Sequence, residues 1–121
     1  MKKIIITSAI IASILVACKS KKETVATAPV APLDCSNKVL TYNTDIKSII
    51  ETNCSRCHNT NEKAGYNFLK IEFVKKAALN GKLLGTIKHQ EGFSKMPKMA
   101  NKLDNISIDK IECWIKNGMK E

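Results

Sequence analysis

Cys54-Ser55-Arg56-Cys57-His58 sets two thiols three residues apart, with an imidazole directly after the second. On one short helical turn this spacing presents the thiols on successive edges, where they can form thioethers with the two vinyl groups of a haem while the His58 ring rises to the iron. C-x-x-C-H is the attachment pattern of a c-type haem. A thioredoxin-like redox pair wants a βαβ setting, and no alternating strand pattern occurs here. A structural zinc site wants four ligands, and the sequence has no second C-x-x-C and no H-x-x-x-H. A plain disulfide pair or a chance match is the remaining alternative for so short a motif.

Working outward, Ile46, Ile49 and Ile50 recur at i, i+3 and i+4, so a helix from about Asp45, capped by Asn43 or Thr44, should lead into the motif. Tyr42 stands where a staple residue would pack against that helix. Downstream, residues 68–80 form a helical pattern carrying Phe73, Val74, Ala77 and Ala78, stopped by Asn80-Gly81. A short helix with Leu83, Leu84 and Ile87 follows. The last helix is expected from Ser107 as N-cap to Asn117-Gly118, with Ile108, Ile111, Trp114 and Ile115 on one stripe. Trp114 reads as a core residue, and Tyr66 and Phe68 as pocket walls. The fold class is all-α, with about four helices.

The 121-residue chain carries a net charge of +9 and five cysteines. It opens with Met1-Lys2-Lys3 and an apolar run to Ala17, a secretory signal pattern. That run is shorter than the ~20 residues a membrane-spanning helix needs. It ends Leu15-Val16-Ala17-Cys18, which resembles a bacterial lipobox, so residues 1–17 read as a lipoprotein signal peptide and Cys18 as the lipidated N-terminus. Processing would leave 104 residues and a charge of +7. Residues 18–34, with Pro29 and Pro32 and no aromatic residue, read as a lipidated tether with a reach of about 20 Å. The folded domain is then 35–121, small enough to benefit from a cofactor or cross-link. An exported chain also lies where c-type haem is attached.

With one cysteine assigned to lipid and two to haem, Cys35 and Cys113 are left over. By its phase Cys113 lies opposite the centre of the last helix's apolar stripe, so it is not expected as a buried free thiol. In an oxidising compartment the two can pair, closing nearly the whole domain with a stabilisation of ~3 to 4 kcal/mol on loop entropy.

Over residues 42–118 the chain resembles the class I c-type cytochromes, more closely the small monohaem cytochromes that bacteria carry as lipoproteins. The resemblance rests on Cys54-Ser55-Arg56-Cys57-His58, on Met96-Pro97 within Gly92-Phe93-Ser94-Lys95-Met96-Pro97-Lys98, and on Lys110-Ile111-Glu112-Cys113-Trp114-Ile115-Lys116-Asn117-Gly118. It implies a helical bundle around one covalent haem c, held through Cys54 and Cys57, with His58 as proximal and Met96 as distal iron ligand. A thioether suits an electron carrier because it is a soft, neutral ligand that raises the potential. Met99 and His89 are the alternative distal donors, and Met119, in the tail, is a poor one.

The function this implies is a lipid-anchored electron carrier of the cell envelope, its haem domain facing the periplasm, with redox proteins as partners and no small-molecule substrate. A haem-based sensor of small ligands is the alternative. A peroxidase is disfavoured, since only one C-x-x-C-H is present. Lys88, Lys95, Lys98 and Lys102 surround the Met96 loop and could steer an acidic redox partner. Nucleic acid is a poor partner for an exported lipoprotein.

Overall fold

The computed structural model describes Ala31 and residues 33–121. The expected signal peptide 1–17, the lipidation site Cys18 and nearly all of the tether lie outside the described residues. Those described are helical and contain no β-strand. Helix α1 (Lys47–Asn53) is entered through a π-helical turn, Tyr42–Ile46. A 3-10 turn at Lys63–Gly65 follows, then α2 (Ile71–Leu79), α3 (Lys82–Ile87) and α4 (Asn105–Lys116). None of these helices is long and apolar enough to cross a membrane.

The entry to α1 begins earlier than the expected Asn43 or Thr44. Thr41 is the cap: its hydroxyl accepts from the Thr44 amide at 3.4 Å, and the Asp45 carboxylate accepts from the Thr41 amide at 3.0 Å. This is a capping box stretched by one residue, because the π-turn lets the Lys47 amide reach back to the Tyr42 carbonyl. The wider turn brings Tyr42, Ile46 and Ile50 onto one buried face at a spacing of four. Helix α4 also starts ahead of Ser107. Asp104 is its cap, accepting from the Ser107 amide at 2.8 Å and the Ser107 hydroxyl at 2.7 Å. Helix α2 starts three residues after the expected Phe68. The Asn67 side chain accepts from the Leu69 amide at 3.1 Å, an Asx turn that occupies the backbone a helix would need.

The core is one cluster in which Ile46, Ile50, Val74, Ile111 and Trp114 are fully buried. Burial of each such side chain is worth about 1.5–3 kcal/mol. Trp114 stands against Tyr42, ring centroids 5.8 Å apart. Its indole N–H donates to the Lys120 carbonyl at 2.8 Å, and the Tyr42 amide donates to the same oxygen at 2.8 Å. Lys120 reaches that place because α4 ends in a Schellman turn. Gly118 takes φ +86, its amide bonds to the Ile115 carbonyl, and the Met119 amide bonds to that of Trp114. A side chain at 118 would strain this reversal.

Cys35 and Cys113 form a disulfide, Cα atoms 5.0 Å apart. Cys113 is buried as half of this disulfide and not as a free thiol, on the side of α4 away from the centre of its apolar stripe. The reason is long-range. Leu33 and Cys35 pack against the core, the Leu33 amide donates to Asp109 at 3.2 Å, and the Asn117 amide donates to the carbonyls of Cys35 and Lys38 at 3.0 and 2.8 Å. The segment Leu33–Leu40 thus straps the second face of α4. Among the described residues, packing against the core reaches back to Leu33, two residues ahead of the expected domain start. A Cys35→Ser/Cys113→Ser variant should lose about 4 kcal/mol in urea unfolding, the loop-entropy value for a link spanning 78 positions. Two alkylatable thiols at 35 and 113 in unreduced protein would overturn the pairing.

Candidate functional site

The five motif residues follow directly from the end of α1. Cys54 is its C-cap, and the amides of Cys57 and His58 both donate to the Cys54 carbonyl, at 3.1 and 2.9 Å. The chain is thereby wound into a tight turn that keeps the two thiols and the imidazole on adjacent positions. Both thiols are free. Cys57 is exposed, whereas burial pushes the Cys54 thiol up to about 11. A redox-active or metal-bound thiol works as thiolate and is favoured by a lowered value, so the Cys54 environment suits neither role. Among the described residues no cluster of His, Cys, Asp and Glu could hold a metal ion.

His58 is fixed from two sides. Its Nδ1 lies 2.9 Å from the Lys63 carbonyl. A carbonyl can only accept, so Nδ1 carries a proton, and in the neutral ring Nε2 keeps its lone pair. The Phe68 amide donates to the His58 carbonyl at 2.7 Å, which folds residues 66–68 back over the ring. The Phe68 and Tyr66 rings then stand 4.9 and 6.5 Å from the imidazole, and the Tyr66 hydroxyl accepts from Asn80 at 2.8 Å. Both aromatic residues wall the His58 side of the motif. Sequence reasoning could not supply the Lys63 contact, because a backbone carbonyl leaves no signature in residue type.

The second set of expected residues lies on the loop after α3. Met96 is half-buried, and its amide donates to the Thr86 carbonyl at 3.1 Å. His89 lies with its Nε2 3.0 Å from the Met96 carbonyl. Met99 is fully exposed. Among the described residues no hydrogen bond links the Cys54–His58 turn to the Met96 loop. The concavities lined by Glu72, Lys75, Lys76, Leu79 and Asn80, and by Ser36, Asn37, Lys38, Val39, Asn117 and Lys120, include none of the motif residues. The motif is a surface turn backed by aromatic side chains. Two free thiols, an imidazole with an open Nε2 and aromatic walls are the donor set a covalent haem requires, so the residues present fit that group.

Of the four lysines expected around this loop, Lys88 is taken up by an ion pair with Glu112, which Lys116 also approaches at 3.1 Å. That contact ties the end of α3 to α4. Lys95, Lys98 and Lys102 are exposed, and among the described residues no carboxylate lies within ion-pair distance of them. Compared with protein-family models, with curated proteins and with solved structures, the chain matches none.

Two outcomes follow. In chain produced without haem attachment, Cys54 should alkylate at least tenfold more slowly than Cys57 at pH 8, and should speed up as pH rises towards 11. Equal rates would contradict the burial. The Lys88 hydrogen bond, with that of Lys116, holds the Glu112 carboxyl below its ordinary value, and the Ser107 hydroxyl and amide do the same for Asp104. A depressed folded-state value contributes stability that is present above the unfolded value, about pH 4, and is lost as pH falls through the folded one. Acid unfolding below about pH 4 should therefore be blunted in Glu112→Gln, measured by circular dichroism against pH.

Proposed function

We propose that this chain is a monohaem c-type cytochrome, anchored by lipid at Cys18 in the cell envelope, that passes single electrons between redox proteins. The observation that carries the proposal is His58: it follows two free thiols on one turn, and the Lys63 carbonyl fixes its proton on Nδ1. A proximal ligand needs that tautomer, and an acceptor behind the ring makes Nε2 a better donor and sets its direction. Cys54 and Cys57 would attach the group by adding S–H across its two vinyl bonds, sulfur and hydrogen going to the two carbons of each. When bound, the haem iron supplies a one-electron couple.

The other residues of the chain set the conditions for that couple. Met96 offers a soft, uncharged sulfur that favours the reduced state. Tyr66 and Phe68 shield the His58 side from water. Lys95, Lys98 and Lys102, which have no carboxylate partner among the described residues, give the Met96 loop a positive surface that would draw an acidic partner. Leu15-Val16-Ala17-Cys18, closing an apolar run, supports export and lipidation.

Protein purified from native membranes should show a c-type reduced-minus-oxidised spectrum and a Met-to-iron charge-transfer band when oxidised, and should not bind CO when reduced. Met96→Ala should abolish the band and lower the midpoint potential, and Cys54→Ala/Cys57→Ala should leave no covalent haem. Ready CO binding without the band would mark a ligand-binding subunit and overturn the carrier reading.

A further inference from the structure

The end of α3 holds Met96 by both of its backbone polar groups. The Met96 amide donates to the Thr86 carbonyl at 3.1 Å, and the Met96 carbonyl lies 3.0 Å from His89 Nε2. Since the carbonyl can only accept, His89 carries a proton on Nε2 and donates it. His89 does so from a left-handed backbone, φ +57, a conformation that side chains other than glycine rarely adopt and that persists where surrounding contacts impose it. Two further contacts seat the loop. The Gln90 amide donates to the Gly85 carbonyl at 3.0 Å, and the Phe93 ring lies so close over Gly85 that a Cβ there would come within 2.5 Å of it. The Lys88–Glu112 pair fixes this end of α3 to α4. The loop is therefore gripped at its start, at its middle and at Met96 itself.

We propose that His89 is a positioning residue for Met96: its Nε2–H holds the Met96 carbonyl so that the thioether stays on the iron, and thereby sets how easily an outside ligand displaces it. This rests on the haem reading above, with Met96 as distal ligand, and gives His89 a part other than competing for the iron.

The test titrates oxidised holoprotein with imidazole and follows the Met-to-iron charge-transfer band. Glycine accepts the left-handed backbone at 89, so His89→Gly removes the ring without adding strain. His89→Asn tolerates the same backbone but falls short of the Met96 carbonyl, and gives the comparison independently. His89→Gln keeps an N–H donor at longer reach. The expected result is the band in every variant, imidazole displacing Met96 about fivefold more readily in His89→Gly and His89→Asn, the size of one lost hydrogen bond, and recovery in His89→Gln. Asn117→Ala, which removes the side-chain bonds to the Cys35 and Lys38 carbonyls at the other end of α4, should leave imidazole affinity unchanged. Equal affinity in wild type and His89→Gly overturns the positioning role while Met96 remains the ligand. A gain matched by Asn117→Ala overturns it too, since global destabilisation then accounts for the effect. Absence of the band from wild type overturns the ligand reading itself.

Discussion

The crossing of α4 over the helical entry at Tyr42–Ile46 is the contact from which the other positions follow. Trp114 is wholly enclosed there, and its indole N–H and the Tyr42 amide share the Lys120 carbonyl. An indole buried without a partner for its N–H would give back about 1–3 kcal/mol of what its burial contributes, so the return of the chain at Gly118 is part of the same arrangement. The strap Leu33–Leu40 adds a second join between the two ends, with covalent and hydrogen-bonded parts. With the ends locked together, the segments between them become the loops that carry the Cys54–His58 motif and Met96.

Those loops are held by different means. The Cys54–His58 turn is an extension of α1 and takes its shape from backbone bonds to the Ile50 and Cys54 carbonyls, with aromatic residues folded back over the imidazole. The Met96 loop has little regular structure of its own and borrows order from the end of α3. Binding residues on loops held by a rigid frame are the usual arrangement, since the frame supplies precision and the loops supply exposed donors. The frame here is modest, and each loop depends on a few identifiable hydrogen bonds.

Local patterns carried the existence of the helices well. Val74, Ala77 and Ala78 in α2 and Ile108, Ile111 and Trp114 in α4 repeat at helical spacing and are buried as that spacing implies. Boundaries were harder to read. Thr41, Asn43 and Thr44 are all competent caps, and only the π-turn at Tyr42–Ile46 selects Thr41. Asp104 and Ser107 each fit the start of α4, and they are joined as acceptor and donor of one cap. What the sequence concealed was contact at a distance: the strap that buries Cys113, the Glu112 partner of Lys88, the Lys63 carbonyl behind His58, and the His89 grip on Met96. The first two depend on how elements far apart in sequence pack. The last two engage backbone carbonyls, which every residue has.

The strap also bears on how four thiols in one small domain choose their partners. Cys35 and Cys113 are paired while Cys54 and Cys57 are free, and the proposed haem attachment needs that division. Exchange proceeds through thiolate, and burial holds Cys54 so far above its ordinary value that roughly one molecule in ten thousand carries the anion at pH 7. The Leu33 amide on Asp109 and the Asn117 side-chain amide on the Cys35 carbonyl meanwhile lay Cys35 beside Cys113 by hydrogen bonds that involve neither sulfur. Folding thus sorts the thiols in part: one pair is brought together by non-covalent contacts, and Cys54, unlike the exposed Cys57, is kept protonated by burial.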